Sequence, residues 1–148
     1  MPPRMTRPFR LKTDAEVARA MRPSVAKKSE RELEKQRQEE GRGRLEAMGW
    51  TVLRRGENRG KRTDGHHPGE ADDEAFKRGL CMGLEWKRDE KEELRATQIE
   101  WYRLTSRNIP YFVCCTLEHA VLAAVMVMDA DVRSGAYDLR SGAPVVLK

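Results

Sequence analysis

Glu85-Trp86-Lys87 closes an apolar run, Leu80-Cys81-Met82-Gly83-Leu84, and an acidic cluster, Asp72-Asp73-Glu74, stands one short hairpin upstream of it. Side chains of a strand alternate between faces, so Glu85 and Lys87 project to one side while Leu84 and Trp86 project to the other, into a core. A carboxylate and an ammonium are thereby held side by side. With one more carboxylate from a neighbouring strand, a place that Asp72 can fill, such a group can hold a divalent cation against a phosphate and position a water for attack. The competing reading is a surface strand that ends in charge, since Glu-x-Lys recurs by chance in a chain that is 36% charged.

The elements that must position these residues are legible in outline. Residues 29–48 are rich in strong helix formers, with Ser29 placed to cap the helix and Gly49 to stop it. Gly41 and Gly43 weaken its middle, and its few apolar residues, Leu33, Leu45, Ala47 and Met48, suit a helix that covers a sheet. Trp50-Thr51-Val52-Leu53 reads as the first strand. Residues 54–69 read as a long loop whose Arg54, Arg55, Arg59, Lys61 and Arg62 suit phosphate binding. Residues 71–76 and 80–87 flank Lys77-Arg78-Gly79, the spacing of a tight hairpin with Gly79 in the turn.

A second helix is expected over residues 89–107, with Leu94, Gln98, Trp101 and Leu104 sharing a face, and with Asn108 ending it in the left-handed conformation ahead of Pro110. Trp101 reads as core rather than as a platform for base stacking. Residues 111–115 suit a buried strand, and Thr116 can cap a helix over residues 117–129. The tail, residues 137–148, ends in Val145-Val146-Leu147, which can pair as an edge strand or bind a partner.

With 148 residues the chain makes one domain with tails attached: a basic flexible arm over residues 1–29, a folded domain over 30–132 and a C-terminal tail over 133–148. Residues 1–31 carry nine Lys or Arg against three acids, a net of +6, while the whole chain is +5, so the basic character belongs to the arm. Such arms hold phosphate backbones without reading sequence, or simply solubilise. No window suits a membrane span or a signal peptide, which fits a cytoplasmic protein. Cys81, Cys114 and Cys115 all lie in apolar runs and read as reduced core residues. A zinc site built from His66, His67 and a cysteine is conceivable, although adjacent histidines in a loop are usually solvated.

The order helix, strand, strand, strand, helix, strand, helix, with an acid opening the second strand and Glu-x-Lys closing the third, resembles the PD-(D/E)xK nuclease superfamily. More narrowly, Glu34, Gly49-Trp50, the basic loop, Gly69-Glu70-Ala71-Asp72, Leu84-Glu85-Trp86-Lys87 and Gln98-Ile99-Glu100-Trp101 resemble the VRR-NUC family, the virus-type replication-repair nucleases. The resemblance covers residues 30–125 and departs from the family where Asp73 and Glu74 follow the aspartate and where Asn108 stands for a glycine. It implies an α/β, restriction-endonuclease-like fold, a small mixed sheet flanked by helices with an αβββαβ core. It also implies Asp72 and Glu85 as ligands of Mg²⁺ or Mn²⁺, with Asp73 as the alternative to Asp72. The Trp86 carbonyl would complete the shell, Glu34 would reach the metal directly or through water, Lys87 would orient the attacking water, and Gln98 would hold Lys87 or a metal-bound water. Hydrolysis of DNA to a 5′-phosphate and a 3′-hydroxyl is the implied activity. Branched or flapped DNA is the implied substrate, and a homodimer of the Holliday-junction-resolvase type the implied assembly. The alternatives are a catalytically inactive nucleic-acid-binding protein of the same fold and an adaptor that uses its helices and apolar tail.

Overall fold

The computed structural model describes residues 29–55 and 67–148; the arm residues 1–28 and the loop residues 56–66, among them Arg59, Lys61, Arg62 and His66, lie outside the described residues. Ser29 and Glu32 form a reciprocal cap at the start of α1 (Glu30–Ala47): Ser29 Oγ accepts from Glu32 N at 3.3 Å, and the Glu32 carboxylate accepts from Ser29 N at 2.8 Å. Gly49, at φ 88°, reverses the chain into β1 (Thr51–Arg54). β2 (Asp73–Lys77) and β3 (Leu80–Trp86) pair antiparallel from Asp73↔Leu84 to Lys77↔Leu80, and Arg78 (φ 46°) and Gly79 (φ 78°) make the two-residue turn between them.

After α2 (Ala96–Thr105) the chain returns parallel to β3 as β4 (Tyr111–Cys114), then forms α3 (Leu117–Met128), capped where Thr116 Oγ1 accepts from His119 N at 3.3 Å. β5 (Ala136–Asp138) and β6 (Val145–Val146) complete a six-stranded mixed sheet in the order β1-β2-β3-β4-β5-β6. This is an α/β fold, and the tail takes the edge-strand placement. One face of the sheet packs Met82, Leu84, Trp86 and Phe112 against Leu45 of α1 and Ala120 to Val127 of α3. The other packs Tyr111 and Val113 against Tyr102 of α2.

Four local expectations are corrected. α2 begins at Ala96 rather than at residue 89, because residues 88–95 are held in an irregular path: Asp89 Oδ1 accepts from Lys91 N and Glu92 N, and Arg140 Nη1 binds the carbonyls of Asp89 and Glu92. Its buried face runs through Gln98 and Tyr102, while Leu104 is 58% exposed. Asn108 is absent from the positive-φ residues; α2 ends instead in tight turns in which Asn108 N and Ile109 N both donate to Thr105 O. In α1 the buried residues are Gly41, Arg42 and Leu45, and Leu33 lies outside, because the helix leans on Trp86 where Gly41 leaves no room for a Cβ.

Candidate active site

The β2–β3 ladder ends at Asp73↔Leu84, and Asp72 sits at the bend just before it, with its carboxylate beside the end of β3 that carries Glu85. Trp86 N donates to Asp72 Oδ2 at 2.9 Å, and Arg55 N donates to Asp72 O at 2.8 Å, which fixes Asp72 beside the end of β3 from both neighbouring strands. Glu85 and Lys87 share a face by strand alternation, and both are buried.

Gln98 ties them together. Its Nε2 donates to Glu85 Oε1, its Oε1 accepts from Lys87 Nζ at 2.7 Å, and the same oxygen accepts from Arg95 N at 2.9 Å, so the first turn of α2 fixes the amide's orientation. Lys87 Nζ also lies 3.6 Å from Glu85 Oε1. The loop that leads to Asp72 is pressed onto the same helix end: Gly69, at φ 84°, has no room for a Cβ against the Thr97 backbone. Thus one helix terminus positions the acidic loop, Glu85 and Lys87. His67 packs its ring 5.2 Å from that of Trp101, on the outside of this junction.

Asp73 points to the opposite face. Its Oδ1 accepts from Arg42 Nε and its Oδ2 from the Trp86 indole, each at 2.8 Å, and it is fully buried. Arg42 in turn donates to Gln38 Oε1 at 3.3 Å, and Gln38 Nε2 donates to Glu34 Oε1 at 3.3 Å. Glu34, Gln38 and Arg42 therefore form one stripe at i, i+4 spacing along α1. Half-buried Glu34 has its carboxyl pushed up from the ordinary range, first by burial, then by the charges of Glu92 and Asp72, which places it on the acidic side of the site.

Of the basic residues expected to bind phosphate, Arg54 and Arg55 are described. Arg55 is engaged by Glu74 at 3.0 Å and Glu70 at 3.6 Å, so it rests against acids of its own sheet. Sequence reasoning missed Arg42, Tyr111, Asp138 and Arg140. The spacing of Glu34, Gln38 and Arg42 was a readable signal for the first, whereas the others depend on strand pairings that no local pattern encodes.

Searches for similar proteins agree with this geometry at the level of architecture. A solved structure described as a VRR_NUC domain aligns with a TM-score of 0.51 over 66% of this chain and 97% of its own length, at 22% sequence identity. The chain has the fold of a VRR_NUC domain. No family model matches the sequence, and no curated protein does. The VRR_NUC likeness carries the same family name that the ordered motifs from Glu34 to Trp101 point to. Among the described residues, no group of three or more His, Cys, Asp or Glu is arranged to hold a metal ion. The candidate donors Asp72 and Glu85 offer hard oxygen atoms alone.

Proposed function

We propose that the protein is a metal-dependent DNA endonuclease of the VRR-NUC family, hydrolysing phosphodiester bonds at the Asp72–Glu85–Lys87–Gln98 cluster. The observation that carries this reading is the double hydrogen bond of Gln98, which presents a buried carboxylate and a buried ammonium side by side, with the Asp72 carboxylate bonded to the Trp86 N–H between them. A surface strand ending in charge has no such arrangement.

Two carboxylates and no softer ligand fit Mg²⁺ or Mn²⁺, hard cations that take oxygen donors and keep several waters, which a two-residue set leaves room for. Asp72 and Glu85 would hold the ion with the Trp86 carbonyl, and Glu34 would reach it from α1 directly or through water. Such an ion, once bound, supplies Lewis-acid polarisation of the phosphate and a more acidic water. Lys87 does the remaining work at the scissile group. Its ammonium, held by Gln98, would orient the attacking water, stabilise the hydroxide left when that water gives its proton to solvent, and offset charge on the phosphate. Asp73 is assigned to the fold rather than to the ion, since both its oxygens are spent on Arg42 and Trp86.

Branched or flapped DNA is the proposed substrate, and a C2 homodimer the proposed assembly, because two-fold related strands call for two copies of one site. Val125 and Met128 of α3 and Val145 and Val146 of β6 are exposed apolar residues that pairing could cover. Purified protein is expected to cut DNA with Mg²⁺ or Mn²⁺ and to stop with EDTA. Product mapping on a four-way junction and on a flap, with light scattering for oligomeric state, tests the finer reading: a monomer that nicks flaps and leaves junctions whole removes the dimeric resolvase and keeps the nuclease.

A further inference from the structure

The sequence of β4 contributes one polar group to the site face that none of the expected roles uses. In the parallel register Gly83↔Tyr111 and Glu85↔Val113, Tyr111 lies on the same face as Glu85, beside a residue with no side chain. The tyrosine ring lies alongside Gly83, where a Cβ would stand in ordinary contact at 3.6 Å from Tyr111 Cδ2. The ring is packed 5.9 Å from that of Tyr102, and the residue is fully buried. Its hydroxyl has no partner in strict hydrogen-bond geometry, yet the Glu85 carboxylate is close enough to act on it as an acceptor. A buried hydroxyl in that state costs on the order of 1–3 kcal/mol, so it marks either strain or a role. Its neighbours identify the role. Glu85 stands diagonally across from Tyr111 on the same face, within the reach of an aromatic side chain, so its carboxylate is the acceptor this hydroxyl is placed to meet.

We propose that Tyr111 is a positioning residue of the cation site, donating its hydroxyl hydrogen to Glu85 so that this carboxylate stays turned toward Asp72 when the pair carries a divalent cation. The proposal rests on the metal-site reading given above. Gln98 grips Glu85 from α2, and Tyr111 would hold it from β4 on the same face, bracing the carboxylate from two directions. Groups that brace a metal ligand in this way usually change metal affinity by about 10- to 100-fold when removed.

Tyr111→Phe removes the hydroxyl and keeps the ring. Calorimetric titration with Mn²⁺, without DNA, is compared for wild type and variant, together with thermal unfolding of both in EDTA. The expected result is a Kd for Mn²⁺ weakened by about 10-fold or more, with the metal-free midpoint unchanged. Equal Mn²⁺ affinity in the two proteins overturns the inference and leaves the metal site standing. A wild type that binds no Mn²⁺ overturns both. A variant with weaker affinity and an equally lowered metal-free midpoint assigns the hydroxyl to folding, and that too overturns it.

Discussion

Trp86 holds Asp72 by its backbone, donating N–H to Oδ2 at 2.9 Å. The same residue holds Asp73 by its indole at 2.8 Å, on the other face of the sheet. A single tryptophan between Glu85 and Lys87 therefore separates two adjacent aspartates into different environments. Asp72 stands beside the end of β3 that carries Glu85 and Lys87, while Asp73 completes a buried pair with Arg42.

That separation predicts opposite behaviour of the two aspartates in stability measurements. Asp73→Ala leaves Arg42 buried without its partner and is expected to cost about 3–5 kcal/mol in denaturant unfolding. Asp72→Asn relieves repulsion within an acidic cluster and is expected to cost far less, or to stabilise. Equal losses in the two variants would remove the distinction.

Glu34 gives a pH dependence with a definite sign. Its carboxyl is raised in the folded protein, by burial first and then by Glu92 and Asp72, so the folded state binds its proton more tightly than the unfolded chain does. The associated stability is fully present below the unfolded carboxyl pKa and is lost as pH rises through the raised folded value. Glu34→Gln, lacking the charge, should therefore melt higher than wild type at pH 7–8 in EDTA, with the advantage shrinking toward pH 4. A constant difference across pH would contradict the electrostatic account.

Arg140 anchors the irregular segment that precedes α2. It is bidentate on Asp138, with Nε to Oδ1 at 3.0 Å and Nη2 to Oδ2 at 2.9 Å, while Nη1 reaches the carbonyls of Asp89 and Glu92. Burial pushes the Asp138 carboxyl up, but hydrogen bonds and charge from Arg140 outweigh it and hold it below its usual value. The stability from this pair is present above the unfolded carboxyl pKa and is lost as pH falls through the depressed folded value. Arg140→Ala is expected to destabilise by about 3 kcal/mol at neutral pH, to lose less at acid pH, and to speed amide exchange in residues 88–95. Exchange there that matches wild type would show the clasp to be unimportant.

The basic arm makes a separate prediction, resting on its net of +6 over residues 1–31. Deleting residues 1–28 should weaken DNA affinity and reduce the steepness of its salt dependence by about 0.9 in log–log slope for each phosphate that the arm neutralises. Cleavage of bound substrate should persist. An unchanged slope would show that the arm does not touch DNA.

What the sequence made legible was local. Ser29, Gly49, Gly79 and Thr116 each announced an element boundary through the backbone geometry they favour, and the structure uses all four. The alternation around Trp86 placed Glu85 and Lys87 on one face, because a strand has only two. Illegible were the features set by distant partners. The start of α2 depends on an arginine from the tail, and the exposure of Leu33 depends on Gly41 seating α1 on Trp86. The division between Asp72 and Asp73 depends on Arg42, whose i, i+4 spacing from Gln38 and Glu34 was readable but whose partner across the sheet was not.

Cleavage of a DNA substrate by wild type, Asp72→Asn and Glu85→Gln, each with Mg²⁺ and with EDTA, tests the central claim most directly. Wild type should cut with Mg²⁺ alone, and both variants should fall by more than about 100-fold while retaining the wild-type fold and DNA affinity. Full activity in either variant, or cleavage by wild type that survives EDTA, would contradict the assignment of Asp72 and Glu85 as the metal-binding pair.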